Sequence, residues 1–286
     1  MLLILSAIWG SAFIAIKVSL EYFAPVSVAS YRLIIASIFL LIFYIIGQYK
    51  ILLSKKDLLM LIFVGFVGNF LPFYLISWSE QFIQSSTAGI LMGIGPILTL
   101  VLSHFLTKDD RINSVKLISI IVGFIGVLFI FEIDSLFAIQ SSNSIQLISK
   151  ILIIIAALGY MISNIVAYNT LKHIDSFSIT FFATLFGALI SIPFLIFSEF
   201  NQPSYFSIKS ILPILYLGIF PTALAFQLRY HITKTSGPVF LSYVAYLIPI
   251  FALIWGFILL SEKIYFSSIV GITLILIGVF VGRKNQ

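Results

Sequence analysis

The chain has 286 residues, of which 61% are hydrophobic and 9% are charged, and it carries a net charge of +6 at pH 7. A soluble domain typically has about 25% charged residues, so this chain has too few to cover a water-facing surface. Its mean hydropathy of +1.18 therefore excludes an ordinary globular domain. The absence of cysteine also excludes disulfides and thiolate metal sites.

Ten apolar windows are long enough to cross a bilayer, whose core of about 30 Å requires about 20 residues of helix. Every Asp and Glu falls outside these windows. The predicted fold class is therefore an all-α membrane protein with ten transmembrane helices, in which the lipid bilayer is the main partner. In chain order the windows are Leu2–Leu20, Val28–Gly47, Leu58–Ser77, Thr87–Leu106, Ser114–Phe131, Ile151–Thr170, Phe177–Phe197, Ile211–Tyr230, Val239–Leu260 and Tyr265–Gly282.

The basic residues lie mostly in short connectors between windows, which favours a role in membrane topology over nucleic-acid binding. With the N-terminus in the cytoplasm, eleven of the sixteen Lys and Arg residues fall nearer the inner face and five nearer the outer face. Cytoplasmic connectors are the ones enriched in Lys and Arg. We therefore predict a multi-pass protein of the inner (cytoplasmic) cell membrane with both termini in the cytoplasm.

The two halves of the chain carry similar features about 153 positions apart. Each half holds five windows, an odd number, so two related copies must cross the bilayer in opposite directions, as in many secondary transporters. We predict a first repeat at 1–131, a polar linker at 132–150 and a second repeat at 151–286. The matched features are Gly65 with Gly218, Asn69 with Thr222, Pro72-Phe73 with Ala225-Phe226, Pro96 with Pro249, Asp110 with Glu262, and Gly126-Val127 with Gly278-Val279.

Several short motifs together resemble a known family. They are Trp9-Gly10-Ser11-Ala12-Phe13 with Lys17, Arg32-Leu33, Pro96-Ile97-Leu98-Thr99, Pro249 followed by Ser261-Glu262-Lys263-Ile264, and Gly278-Val279. The chain resembles the EamA type of the drug/metabolite transporter superfamily, with two five-helix repeats. Lys108-Asp109-Asp110-Arg111 departs from that pattern, where a Gly-Glu-Arg loop is usual. The resemblance implies secondary transport, with export of amino acids or related metabolites.

A solute path through lipid needs polar or aromatic side chains at mid-span depth. For the asparagines, an interhelical hydrogen bond is an equally good interpretation, because a buried amide needs a partner in lipid. The small residues at the same spacing are more often packing contacts. The candidate substrate-binding residues are Trp9, Ser11, Asn69, Tyr160, Asn164, Tyr243 and Tyr246.

Lys17 and Arg32 lie near the outer ends of their windows. We predict that they form an outer mouth that favours anionic or zwitterionic solutes. A structural role is the alternative, in which Lys17 pairs with Glu21 and Arg32 pairs with a carbonyl or with Glu80.

Two further features concern movement and assembly. Pro96 and Pro249 stand at matching positions and predict helix kinks, which could assist alternating access or serve only as static bends. The pairs Gly89-x-x-x-Gly93 and Gly278-x-x-x-Gly282 allow a homodimer, though either pair could pack internally.

Other function classes have less support. There is no phosphate-binding loop of the P-loop type, so ATP hydrolysis is not expected. His104, His173 and His231 lack ligand spacing, and no metal or cofactor is expected. No acid lies inside a window, so proton coupling would need His104, Glu80 or another residue at a helix end. The sequence predicts a non-enzymatic secondary transporter of small organic metabolites. The two alternatives are an intramembrane lipid-modifying enzyme and a facilitative channel.

Overall fold

The computed structural model describes residues 1–49, 51–107, 112–130, 144–201, 205–260 and 266–283, and every regular element in these ranges is a helix. The all-helical prediction is confirmed for this part of the chain. The helices, numbered in chain order, are α1 (Leu2–Ser19), α2 (Pro25–Ile46), α3 (Lys55–Ser79), α4 (Ser85–Met92 and Gly95–Leu106), α5 (Ser114–Ile130), α6 (Ser144–Thr170), α7 (Ser176–Asn201), α8 (Ile208–Ser242), α9 (Val244–Leu260) and α10 (Phe266–Arg283).

Six of the described helices, namely α1, α2, α3, α6, α7 and α8, are long and apolar enough to cross a membrane. Shorter apolar helices lie within α4, α5, α9 and α10. The structure therefore supports several membrane spans, and the count of ten stays a prediction. Of the predicted linker, residues 144–150 belong to α6, and 132–143 lie outside the described residues, as do the loop motifs at 108–111 and 261–264.

Two helices begin with the same local device. At the start of α3 the Ser54 hydroxyl accepts a hydrogen bond from the Asp57 backbone N–H, and the Asp57 carboxylate accepts one from the Ser54 N–H. At the start of α8, Ser207 and Ser210 exchange the equivalent pair of bonds. Such a capping box satisfies backbone donors that a helix N-terminus leaves free. It fixes where each helix begins.

Both capped helices contain a π-helical segment, Phe66–Phe70 in α3 and Gly218–Leu224 in α8. A π turn carries one residue more than an α turn and leaves backbone groups out of register with the α ladder. In α8 the Thr222 hydroxyl donates to the Leu217 carbonyl, five residues earlier, at 2.7 Å. These irregular turns lie where the helices meet the centre of the protein.

Gly237 interrupts α8 with φ 81° and ψ 166°, a left-handed conformation that glycine adopts at little cost. Pro238 follows and restarts the helical run, and a further turn at Tyr243 precedes α9. In α4, the break between Met92 and Gly95 places Pro96 in the first turn of the second part, where its missing N–H costs no helical hydrogen bond. Pro249 lies inside α9.

Close helix packing depends on glycine in α5 and α10. A Cβ on Gly278 would lie 2.6 Å from the Ser119 carbonyl oxygen, and one on Gly126 would lie 2.7 Å from the Gly271 carbonyl oxygen. Small residues permit this backbone approach between membrane helices. Gly282 likewise packs against the Tyr243 side chain. The second predicted dimer motif is therefore engaged within the chain, and a homodimer stays a prediction.

Candidate functional site

A cavity of about 110 Å³ lies at the centre of the protein and is bounded by α1, α2, α3, α4, α6, α8 and α9. One water needs about 10–15 Å³ of such space, so the cavity can hold several waters or a small solute. Its apolar wall includes Trp9, Phe13, Phe73, Met92, Met161 and Ile248, and its polar groups are Arg32, Thr99, Tyr160, Asn164, Arg229 and Ser242. Among the described residues that line it, two are cationic and none is acidic.

Arg229 is fully buried and its guanidinium is nearly saturated with hydrogen bonds. Its Nε donates to Asn164 Oδ1 at 2.7 Å, and its Nη2 donates to Ser163 Oγ at 2.8 Å and to the Tyr160 carbonyl at 3.4 Å, all on α6. Its Nη1 donates to the Gly68 carbonyl, in the π segment of α3, at 3.2 Å. Arg229 thus joins α8 to α3 and α6.

Arg32 lines the same cavity, is 3% exposed and makes far fewer contacts. Its Nε donates to Thr222 Oγ1 at 3.1 Å, and its guanidinium carbon lies 3.6 Å from the centre of the Phe73 ring, a cation–π contact. Within the described chain its two Nη atoms donate no hydrogen bond. Because Thr222 lies in the π segment of α8, that irregular turn brings its hydroxyl to Arg32.

Glu80, in the turn after α3, lies close enough to interact electrostatically with Arg32 and Lys17. Its side chain is fully buried, Ser85 Oγ donates to Oε2 at 3.3 Å, and Oε1 has no hydrogen-bond partner among the described residues. Burial raises the pKa of this carboxyl to about 8, an effect that the Ser85 hydrogen bond and the two cations only partly offset. Glu80 and Arg32 therefore interact through space, and no direct hydrogen bond joins them within the described residues.

Three predicted substrate-binding residues, Trp9, Tyr160 and Asn164, line the cavity. The Trp9 indole N–H donates to the Pro221 carbonyl at 3.0 Å. The amide oxygen of Asn164 accepts a hydrogen bond from Arg229 Nε. This bond between α8 and α6 is the interhelical hydrogen bond that the sequence offers as the alternative role of Asn164.

The other predicted residues lie outside the cavity wall. Ser11 forms a hydrogen bond with the Tyr216 hydroxyl in a separate groove. Asn69 is buried in the π segment of α3, and neither its amide nitrogen nor its amide oxygen has a hydrogen-bond partner in the part of the chain that the structure describes. Tyr243 and Tyr246 are buried, and their hydroxyls bond to Ser119 Oγ and the Ile120 carbonyl of α5. Their role in binding substrate stays a prediction.

The two predicted mouth charges differ in position. Lys17 is exposed, and its ammonium group donates to the Glu80 carbonyl at 2.9 Å. Arg32 lines the central cavity itself. The alternative pairing of Arg32 with Glu80 takes the form of a longer-range electrostatic interaction and not a hydrogen bond.

The sequence did not indicate Arg229 as a site residue. It stands one residue before the end of the predicted window Ile211–Tyr230, so it was counted among the charges of the inner face. The described helix continues beyond that window, which places Arg229 in the helix interior. Arg229 lies four residues after Ala225 and three after Phe226, so it shares their helix face. That face matches Pro72-Phe73 in the first half, and this spacing is the signal that indicates Arg229 in the sequence.

The described residues contain no group of three or more His, Cys, Asp or Glu side chains able to hold a metal ion. The arrangement offers hydrogen-bond donors, positive charge and apolar surface, which suit reversible binding of a solute.

Both the sequence and the fold of this chain are similar to those of known proteins. The profile of the EamA-like transporter family matches residues 1–132 and 147–282. The chain belongs to the EamA-like transporter family. It is 31% identical to the uncharacterized transporter YetK of Bacillus subtilis over 98% of this chain and 85% of that one, and 25% identical to the uncharacterized transporter YoaV of the same organism over 96% and 92%.

A solved crystal structure shares the fold of this EamA-like transporter, with a TM-score of 0.76 and 15% identity over 98% of this chain and 95% of that one. Family membership and the apolar helices together establish a multi-pass membrane protein of the transporter class. The family resemblance predicted from the short motifs is confirmed.

Proposed function

We propose that this EamA-like protein is a secondary transporter that moves small organic metabolites across the cytoplasmic membrane by alternating access. The observation that carries the proposal is the central cavity, whose wall combines Trp9 and Arg32 from the first half of the chain with Tyr160 and Arg229 from the second. A site shared between two halves can open to either side when one half rocks against the other. The family resemblance favours export of amino acids or related solutes.

We further propose that the halves, 1–131 and 151–286, are inverted repeats that together form ten spans. Ser54 and Ser207 head equivalent capping boxes, and they stand 153 positions apart, the same separation that the sequence repeat shows. The π segments at Phe66–Phe70 and Gly218–Leu224 fall at corresponding places. The family profile matches each half separately, which supports the same division.

Cysteine labelling tests this topology, because the chain contains no native cysteine. Leu52 and Tyr205 are exposed, precede the two capping boxes, and correspond in the repeat. Inversion places them on opposite faces, with Leu52 in the cytoplasm. Single variants Leu52→Cys and Tyr205→Cys should therefore react with an impermeant maleimide from opposite sides of sealed, oriented vesicles. Labelling of both from the same side would refute the inverted arrangement, and reaction of Leu52→Cys from the outside would refute cytoplasmic termini.

Transport is tested by counterflow in proteoliposomes loaded with a panel of unlabelled metabolites. A carrier gives saturable, transient accumulation of labelled solute. Gly95 lines the cavity, and a Cβ there would lie 2.6 Å from Met161 Cε, so Gly95→Phe should fill the cavity and abolish counterflow. Leu59→Phe, at an exposed position on α3, is the matched control and should retain it.

The two alternative functions give different results in the same system. A facilitative channel would show flux that does not saturate and no acceleration by solute on the opposite side. A lipid-modifying enzyme would show chemical turnover without counterflow. Such an enzyme needs clustered acids or histidines near its substrate, and the described cavity wall offers none.

A further inference from the structure

The two arginines of the cavity differ in how well their hydrogen bonds are satisfied. Arg229 donates to four acceptors on α3 and α6. Arg32 donates only through Nε, to Thr222. The four N–H groups on its Nη atoms have no acceptor in the described part of the chain, although the side chain is 3% exposed. One guanidinium is therefore structural, and the other is available.

A cation that is 3% exposed and has one acceptor in the described chain is costly, because it has lost most of its contact with bulk water. The Phe73 ring at 3.6 Å compensates part of that cost. It covers a face of the guanidinium plane and leaves the N–H edge unused. That edge suits a planar, bidentate acceptor, the geometry that a carboxylate presents to arginine.

The rest of the cavity defines what the carboxylate would be attached to. Aromatic and aliphatic side chains form most of the wall, so the remainder of the solute should be apolar and small enough for the available space. No carboxylate lines the described wall, and the amide oxygen of Asn164 is held by Arg229. The described wall therefore offers an ammonium group no negatively charged partner, and the two guanidinium charges would repel it.

We propose that Arg32 binds the carboxylate of the transported solute, and that this solute is a small carboxylic acid with an apolar body that needs no amino group. The proposal rests on the function above, in which the central cavity is the substrate site. It differs from the amino-acid substrates that the family resemblance implies. Acids that lack the amino group should bind at least as well as the corresponding amino acids.

Matched pairs of compounds test the charge requirement without any mutation. Suitable pairs are phenylacetate with phenylacetamide and 3-methylbutanoate with 3-methylbutanamide, together with phenylalanine, leucine, 4-methyl-2-oxopentanoate and inorganic phosphate. Binding to the purified protein is measured by isothermal titration and transport by counterflow. We expect the acids to bind at least about 10-fold more tightly than their amides. Phosphate, which has no apolar body, should bind weakly.

Variants at Arg32 then assign the effect to one side chain. Arg32→Gln should weaken binding of the acids about 10- to 100-fold and leave the amides within about 3-fold. Arg32→Lys keeps the charge but not the bidentate edge, so it should recover only part of the affinity. Lys209→Gln removes an exposed cation at the start of α8 and is the matched control, with unchanged binding.

The possible results separate this inference from the proposed function. Counterflow of neutral or cationic solutes that acids do not inhibit would overturn the inference and leave the carrier intact. Binding of the acids without counterflow of any solute would overturn the carrier function and support the anion site. Acids that bind no better than amides, or equally well to Arg32→Gln, would refute the role of Arg32. If Arg32→Gln fails to fold, the acid–amide comparison on the wild-type protein still decides.

Discussion

Replacing Arg229 by Gln should destabilise the protein more than any other single change at the cavity. The guanidinium donates at 2.7 Å to Asn164, at 2.8 Å to Ser163 and at 3.2 Å to the Gly68 carbonyl. A hydrogen bond to a charged group contributes about 1.5–3 kcal/mol, and a buried acceptor left without a donor adds a desolvation cost. Gln can restore at most part of this network. The loss of two such bonds alone would cost about 3–6 kcal/mol.

Thermal unfolding followed by tryptophan emission can measure this loss in detergent, since the chain has three tryptophans. At about 2–4 °C per kcal/mol for a chain of this size class, the unfolding temperature should fall on the order of 10 °C. Arg32→Gln is the comparison, because it removes another buried guanidinium from the same cavity but only one hydrogen bond, to Thr222. It should lower the unfolding temperature by less than half as much.

A double-mutant cycle separates the network from a general effect of losing charge. Asn164→Leu should itself destabilise, and combined with Arg229→Gln it should cost clearly less than the two changes added together, because both remove the same bond. Unfolding of Arg229→Gln within about 2 °C of the wild type, or strict additivity in the cycle, would show that Arg229 does not join α3, α6 and α8 as described.

Three further outcomes are expected. Burial raises the pKa of Glu80 from 4.5 to about 8, so between these pH values the folded state keeps a proton that the unfolded chain releases. The free energy of unfolding should therefore fall as pH rises through this range. Unfolding temperatures measured at pH 5, 7 and 9 should depend less on pH in Glu80→Gln than in the wild type. Gly278→Ala, whose Cβ would lie 2.6 Å from the Ser119 carbonyl oxygen, should cost about 1–3 kcal/mol, and a normal melt would contradict the close α5–α10 packing. Tyr246→Phe should cost about 1 kcal/mol through loss of its bond to the Ile120 carbonyl; an unchanged unfolding temperature would argue against that bond.

The helices themselves could be predicted well where an apolar run ends at polar residues. The predicted Leu2–Leu20 and the observed Leu2–Ser19 agree closely, because hydrophobicity changes sharply there. The predicted window begins at Ile151, but the helix begins at Ser144. A window chosen for apolar residues leaves out the polar Gln146 and Lys150, which precede it, although both are good helix formers. Hydropathy reports where lipid ends, and the helix can continue beyond it.

The site was harder to predict, because it depends on helix irregularities. The rarity of polar and aromatic side chains at mid-span depth predicts Trp9, Tyr160 and Asn164, and all three line the cavity. Tyr246 satisfied the same criterion but bonds to α5. Spacing gives the face of a helix, and it does not say which neighbour that face meets. The π turn that turns Thr222 towards Arg32 leaves no clear mark in the sequence.

The charge inventory of the cavity has a consequence for energetics in a living membrane. The described residues that line the cavity include two guanidinium groups and no carboxylate, so the cavity carries a net positive charge that the proposed monoanionic solute would reduce by one. Loaded and unloaded forms then respond differently to voltage, at about 2.3 kcal/mol per elementary charge per 100 mV. An interior-negative potential would drive the anion outwards, so the resting voltage of a cell could itself power export without a coupled ion.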